Sequence, residues 1–344
     1  MKNEPYDHYI AVDWSITNMA IARMTAKSNS IKVQDVPSDL EELRVYLKSL
    51  SGSKIMTIEE CGVSHWLYVE LKDFVDRIII CDPYRNALLK EGPKTDKIDA
   101  SKLVQLLKAN LLKEVFHSDD RFLDLRRLVS GYEDLVKSGV RLKNQRYGLL
   151  RVCGLTGQEK SDYRLKNPTD QMVLGAMERQ IETYEKEKAG YETEFDKLRK
   201  KYSEIKNQDS LPGIGLIGAV KIVSRVVTPG RFPDTGHFLS YAGLVTLEKR
   251  SGMMSYGRKK PRCSPGLKCV YKTAAMAVIG GKSSFNDYYE DLIKKGYAEY
   301  NARHKLARRL AVLSWGIFKS GKKYQRSSPV LGQRRDYVKE TQEV

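Results

Sequence analysis

Three short apolar-rich runs, YIAVDWS, MAIARMT and the alternating SIKVQDV, follow one another near the start of the chain. Their short period predicts a three-strand meander. SDLEELRVYLKSL then switches to helical spacing, with Leu40, Leu43, Leu47 and Leu50 on one face. KIMTIEECG reads as a strand closed by glycine, and HWLYVELKDF as a helix. RIIICDPY reads as a buried strand stopped at Pro83, and TDKIDASKLVQLLKA as a helix after a Gly92-Pro93 break. Strands and helices in this order predict an α/β domain over residues 1–116.

Residues 117–207 show no strand pattern. Two long, charged, helical stretches are separated by Gly154, Gly157 and Pro168. They predict an antiparallel hairpin or coiled-coil arm; the periodicity fits an ordinary helical bundle as well. Residues 208–326 read as a mainly α domain. It begins with LPGIGLIGAVKIVSRV, which is similar to one helix-hairpin-helix element, so the Gly213 and Gly215 amides are candidates for holding a DNA phosphate. RFPDTGHFLSYAGL, a basic loop and further helices follow, and residues 327–344 read as a mobile tail. There is no internal repeat.

Composition narrows the class. Of 344 residues, 41% are hydrophobic and 30% charged, which predicts a soluble globular protein of two or three domains. No apolar run is long enough to span a bilayer, so no membrane partner is expected. The first residues, MKNEPYDHYIAVDWS, lack a signal-peptide pattern. Five cysteines, odd in number and without a C-x-x-C pair, argue against a disulfide framework or zinc site and for a reducing cytoplasm. The formal charge is +17, and it is unevenly spread. Residues 208–344 hold 25 basic and 10 acidic side chains, a net of +15, against +2 for the rest. Such an excess predicts a polyanionic partner, and nucleic acid is the natural one.

In a chain this basic, four carboxylates stand out. Asp13 lies on the first strand, Glu59 ends a later strand, and Asp96 and Asp99 share a helix face. Gathered together, they would raise one another's pKa unless one or two Mg²⁺ ions offset the repulsion, an arrangement suited to phosphodiester oxygens. Each has an ordinary alternative. Asp96 and Asp99 suit a helix dipole behind a Thr95 cap, Asp13 suits a turn, and Glu60 competes with Glu59.

The segments YIAVDWS, IEECGVSHWLY, KTDKIDASKL, LPGIGLIGA, RFPDTGHFLSYAGL and SGMMSYG together resemble the insertion-sequence transposases of the IS110 family, to which the pilin-gene invertases are related. The resemblance covers roughly Tyr9 to Tyr324. It implies an RNase H-like (RuvC-like) N-terminal domain with a catalytic, metal-binding D-E-D-D set at Asp13, Glu59, Asp96 and Asp99. The family's glutamate stands three residues before a glycine, which selects Glu59. A coiled-coil region and a transposase domain with a nucleophilic serine, here Ser251, are implied to follow. So are a covalent serine–DNA link and guidance by a structured non-coding bridge RNA pairing with donor and target DNA. The sequence departs from the family after the serine. RCSPGLKCVYKTA, with Gly266 and Lys268, stands where an Ile-x-Lys-x-Gly element is usual.

A serine hydroxyl needs activation. Lys249 and Arg250 precede Ser251, and Arg258, Lys259, Lys260 and Arg262 follow, a set suited to holding a phosphate. No base is visible nearby, and the carboxylate–metal set is the expected activator. Without the resemblance, Ser251-Gly252 reads as a surface turn, with Ser255 and Ser264 as weaker candidates. The expected function is a site-specific DNA recombinase, a dimer assembling to a tetramer on DNA. The alternatives are a DNA invertase of the pilin type, a Mg²⁺-dependent nuclease or junction resolvase without a serine intermediate, and a non-catalytic nucleic-acid binder.

Overall fold

A meander of β1 (His8–Trp14), β2 (Asn18–Thr25) and β3 (Ser28–Pro37) opens the computed structural model, which describes residues 6–84, 95–117, 122–155, 165–252, 254–281 and 283–325. The expected Gly92-Pro93 break, Gly157 and the tail at 327–344 lie outside the described residues. Contacts divide the chain into two units, Met1–Asp119 and Asp120–Val344.

In the first unit the meander is antiparallel. It is followed by α1 (Leu40–Ser49), β4 (Lys54–Glu59), α2 (Ser64–Leu71), β5 (Arg77–Cys81) and α3 (Asp96–Lys108), the order read from the sequence. β4 joins β1 in parallel and β5 joins β4, giving a five-stranded sheet in the order β3-β2-β1-β4-β5. Strand alternation sorts the side chains between two faces. Ile10, Val12, Ile21, Met56 and Ile58 bury against Leu43 and Leu47 of α1 and Leu67 and Leu71 of α2. Ala11, Ala20 and Ala22 turn to the other face, where Ala100, Leu103 and Val104 of α3 pack on them. Small residues on both sides bring α3 close to the sheet.

The direction of α3 is fixed at both ends. Its last turn is tied by Lys108, whose Nζ donates to the Thr25 and Ser28 carbonyls at 2.9 Å each. Thr25 pairs with His8 at the start of β1. At the first turn, Lys97 Nζ lies 3.8 Å from Asp35 Oδ2. Asp35 pairs with Ala20, which pairs with Asp13. The helix therefore runs antiparallel to β1 and begins at the carboxyl end of that strand.

The second unit opens with α4 (Leu123–Val152) and α5 (Pro168–Lys201), an antiparallel hairpin. Tyr132 donates to Glu192 at 3.0 Å and Arg146 pairs with Glu178 at 3.3 Å, while Lys143 meets Glu185 between them. As residue numbers rise on α4 they fall on α5. Gly139 is the tight point of this hairpin, since a Cβ there would lie 2.3 Å from the Tyr184 ring. Gly139→Ala gains about 1 kcal/mol of helix propensity and loses about 1–3 kcal/mol to overpacking. The variant is expected to unfold at the same or lower denaturant, and a higher midpoint would contradict the packing assigned to the arm.

Beyond the arm come α6 (Ser203–Asp209), α7 (Gly215–Val226), α8 (Thr235–Tyr241), β6 (Leu247–Ser251), β7 (Met254–Lys259), α9 (Pro265–Val278), α10 (Ser284–Lys294) and α11 (Glu299–Ser320). A buried polar chain joins three of these elements. Tyr271 and Ser314 hydroxyls are 2.8 Å apart, and Gln208 bonds Ser314 through both its Nε2 and Oε1. Burial pushes the Tyr271 hydroxyl pKa well above its ordinary value, so it stays protonated. Among the described residues no helix is long and apolar enough to cross a membrane.

Candidate catalytic edge and basic ribbon

The sheet carries Asp13 and Glu59 to one place. Val12 pairs with Ile58 across the parallel β1–β4 ladder, so the next rung sets Asp13 beside Glu59. Val12 and Ile58 face α1 and α2. By alternation Asp13 and Glu59 turn to the α3 face, while Glu60 follows the end of the strand. Both acids are half-buried.

The start of α3 lies at this same edge. Thr95 caps the helix, its hydroxyl accepting from the Ile98 amide at 3.3 Å, and Asp96 and Asp99 occupy the first turn. The ordinary dipole role read from the sequence is thus realised. It does not account for Asp99 fully. Asp96 is exposed and Asp99 half-buried, and the Asp99 Oδ1 atom is buried without a hydrogen-bond partner among the described residues. A desolvated carboxylate oxygen with nothing to bond is costly. An oxygen-preferring cation would satisfy it, and the all-carboxylate donor set suits Mg²⁺. As the side chains stand, no three acidic, His or Cys groups among the described residues are close enough to hold one ion. Residues suited to the ion are therefore brought to one edge and face but not drawn into a closed shell.

A further acid at this end went unnoticed in the sequence. Asp82 follows β5 and is buried, with one oxygen accepting from the Tyr84 amide at 3.0 Å. Its signal was the Asp-Pro pair after a strand, which reads simply as a turn.

Ser251 sits elsewhere, in the second unit. The basic loop expected around it is instead a two-stranded antiparallel ribbon, with Ser251 paired to Met254 across the turn. Gly252 takes a φ of 57°, as the turn requires. Every described residue of both strands is exposed, so no face is apolar and no alternation announced the strands. Lys249, Arg250, Arg258 and Lys259 lie on this ribbon, and Lys260 and Arg262 follow it. Tyr256 is 65% exposed, whereas Tyr241 packs on Phe232 with its ring under Arg231, as a core role predicts. The Glu248 carboxyl lies below its usual range, chiefly through a hydrogen bond from Ser255, with Arg250 and Arg258 adding to it.

The three candidate hydroxyls now differ. Ser255 is engaged with Glu248, and Ser264 caps α9 by accepting from the Leu267 amide at 3.4 Å. Ser251 makes no side-chain hydrogen bond with the described residues.

The remaining basic and glycine candidates spread over the helices beside the ribbon. The α6–α7 hairpin exists, and Gly213 and Gly215 are exposed in its turn and at the α7 start, both with positive φ. Gly213 has a packing reason as well, because a Cβ there would lie 2.5 Å from the Ala274 carbonyl on α9. Gly266 lies under the Arg225 guanidinium, 2.6 Å from the position of a Cβ. Arg225 in turn bonds Glu133 at 2.6 Å. Lys268 is half-buried on α9.

Near Lys268 lies a group the sequence reading passed over. His304 on α11 is half-buried, and its Nδ1 is buried without a hydrogen-bond partner among the described residues. Burial first, then the Arg308, Lys272 and Lys268 charges, hold its pKa below the ordinary histidine value, against a hydrogen bond with the Leu244 backbone. The unfolded chain therefore takes up this proton at higher pH than the folded one. Stability from this site is present above the unfolded value, about 6.5, and is lost as pH falls through the folded one. His304→Gln is expected to lose less stability than the wild type between pH 7.5 and 5.5 in denaturant titrations; equal losses would contradict the assignment.

The chain thus joins a mixed α/β unit with an acid-bearing sheet edge to a mostly helical unit with a basic ribbon. Two family models match the chain. One, described as Transposase and of the DEDD type of IS110, covers residues 10–154; the other, described as Transposase IS116/IS110/IS902 family, covers residues 206–290. The first interval holds all four carboxylates and the second holds Ser251. The chain belongs to the IS110 family of transposases.

Relatives agree. The chain is similar to the "Insertion element IS110 uncharacterized 43.6 kDa protein" of Streptomyces coelicolor, 28% identical over 121 residues, or 35% of this chain and 30% of that protein. It is also similar to the "Transposase for insertion sequence element IS1111A" of Coxiella burnetii, 22% identical over 223 residues, or 60% of this chain and 61% of that protein. The matched stretch is thus under two thirds of either relative's length.

Proposed function

We propose that the chain is a DNA transposase of an insertion sequence that cuts and rejoins strands through Ser251. The observation that supports this reading is that the ends of β1 and β4, bearing Asp13 and Glu59, and the first turn of α3, bearing Asp99, lie at one edge of the sheet, with Asp99 Oδ1 buried and without a hydrogen-bond partner among the described residues. Sheet order and α3 placement support an RNase H-like (RuvC-like) reading of the first unit. In this reading Asp13, Glu59, Asp96 and Asp99 hold one or two Mg²⁺ ions. Bound there, the metal offsets the carboxylates' repulsion and polarises phosphodiester oxygens.

Ser251 Oγ loses its proton to solvent, which returns one to the leaving oxygen, and bonds to the phosphorus of a strand. The bond to one deoxyribose oxygen breaks, and that oxygen leaves as a free hydroxyl end. A strand hydroxyl then attacks the phosphoserine and releases Ser251. The number of P–O bonds is unchanged, so no ATP is consumed. Lys249, Arg250, Arg258, Lys259 and Lys260 hold the phosphates, and a two-stranded ribbon of this kind fits a major groove. Arg262, Lys268 and the Gly213 and Gly215 amides extend the backbone contacts. A structured guide RNA supplies sequence choice by base pairing, and a dimer assembling to a tetramer on DNA supplies two such sites. The arm acts as a coiled-coil spacer, and the chain works in the cytoplasm.

The test is the fate of the cut ends. Incubated with the element's flanking RNA, donor DNA, target DNA and Mg²⁺, the protein is expected to yield rejoined strands. Hydrolysed ends alone would overturn the proposal in favour of a nuclease.

A further inference from the structure

A second cationic site lies in the helical unit, away in sequence from the ribbon. A cleft of about 360 Å³ is lined by Arg199, Lys200, Lys206, Asp209, Ser210 and Lys323. Four cations face one carboxylate, and that carboxylate is already engaged, since Arg199 bonds Asp209 at 2.9 Å. Lys200 pairs with Asp196 at 2.8 Å. Lys206 and Lys323 have no ion-pair partner among the described residues.

Basic residues in the last turn of α5 have an ordinary reason, the helix dipole. That reason covers Arg199 and Lys200, and also Lys206 in the last turn of α6, but not Lys323, which lies beyond α11. The segment bearing Lys323 is held in place on both sides. Asn207 donates to the Gly321 carbonyl at 2.7 Å, and the Tyr324 amide donates to Ser210 Oγ at 2.8 Å. The fold thus fixes a lysine from a distant part of the chain opposite the end of α5 and α6, against like-charge repulsion.

We infer that this cleft binds the backbone phosphates of a nucleic-acid strand, with Lys206 and Lys323 as the phosphate ligands. Resting on the nucleic-acid reading above, it adds a contact region separate from the residues assigned there. Two ammonium groups without ion-pair partners among the described residues suit contacts to backbone phosphates, which position a strand without reading its sequence.

Lys206→Gln/Lys323→Gln is compared with Lys294→Gln/Lys295→Gln, which removes the same charge from α10. Binding of a 40-base-pair DNA and of a structured RNA is measured across 50–300 mM salt. With whichever nucleic acid occupies the cleft, the first pair is expected to weaken binding about tenfold and flatten the slope of log K against log salt by about 1.4–1.8. The control pair leaves the slope near the wild-type value. Equal slopes for the two pairs with both nucleic acids would overturn the inference. That failure is separable from failure of the proposed function, because strand rejoining by the wild-type protein is read independently.

Discussion

If strands are exchanged through Ser251 as proposed, Ser251→Ala is expected to abolish any protein–DNA complex that survives denaturation and to lower strand rejoining by at least about 10³-fold. The size follows from chemistry: without Oγ there is no acceptor for the phosphoryl group, and neighbouring cations cannot substitute for a nucleophile. The structure sharpens the choice of residue. Ser255 is occupied by Glu248 and Ser264 by the α9 cap. Ser255→Ala is expected to keep the covalent complex, because it disturbs a carboxylate hydrogen bond on an exposed ribbon. The measurement is a denaturing gel with end-labelled DNA. A complex that persists in Ser251→Ala and vanishes in Ser255→Ala would move the nucleophile to Ser255.

The second large effect concerns the acidic edge. Asp99→Asn is expected to lower rejoining by roughly 10²–10⁴-fold while leaving the metal-free protein as stable as the wild type or more so. The sign follows from Asp99 Oδ1, a buried oxygen with no hydrogen-bond partner among the described residues. Removing its share of charge relieves desolvation and repulsion among the acids. Mg²⁺ should then raise the unfolding temperature of the wild type and not of the variant. A ligand at ten times its dissociation constant adds about 1.4 kcal/mol. A variant that loses stability without metal would assign Asp99 a purely structural part.

The first unit was legible because two periods alternate along it. Leu43 and Leu47 recur at helical spacing and are buried, while Ile10 and Val12 alternate with Ala11 and Asp13 across a sheet. The long arm was legible from its charged helical pattern, although Pro168, read as part of the break, is the first residue of α5 behind an Asn167 cap. The ribbon carrying Ser251 was not, because both its faces are wet and nothing selects a period of two. The short α8 was hidden too; its seven residues include Gly236, and its signal is the Asp234 cap. The acids were visible one by one. What the sequence withheld was direction, which depends on Lys97 reaching Asp35 and Lys108 reaching the β2–β3 turn. His304 and Asp82 escaped notice because a lone histidine and an Asp-Pro turn are common, and only the neighbours that folding supplies distinguish them.

Whether these acids act together is tested most directly by titrating the protein with Mn²⁺ and counting bound ions by paramagnetic resonance. The wild type is predicted to bind one or two ions, and Asp13→Ala and Asp99→Ala each to weaken that binding at least about tenfold. Unchanged affinity in both variants would contradict a shared metal edge on the α3 face of the sheet.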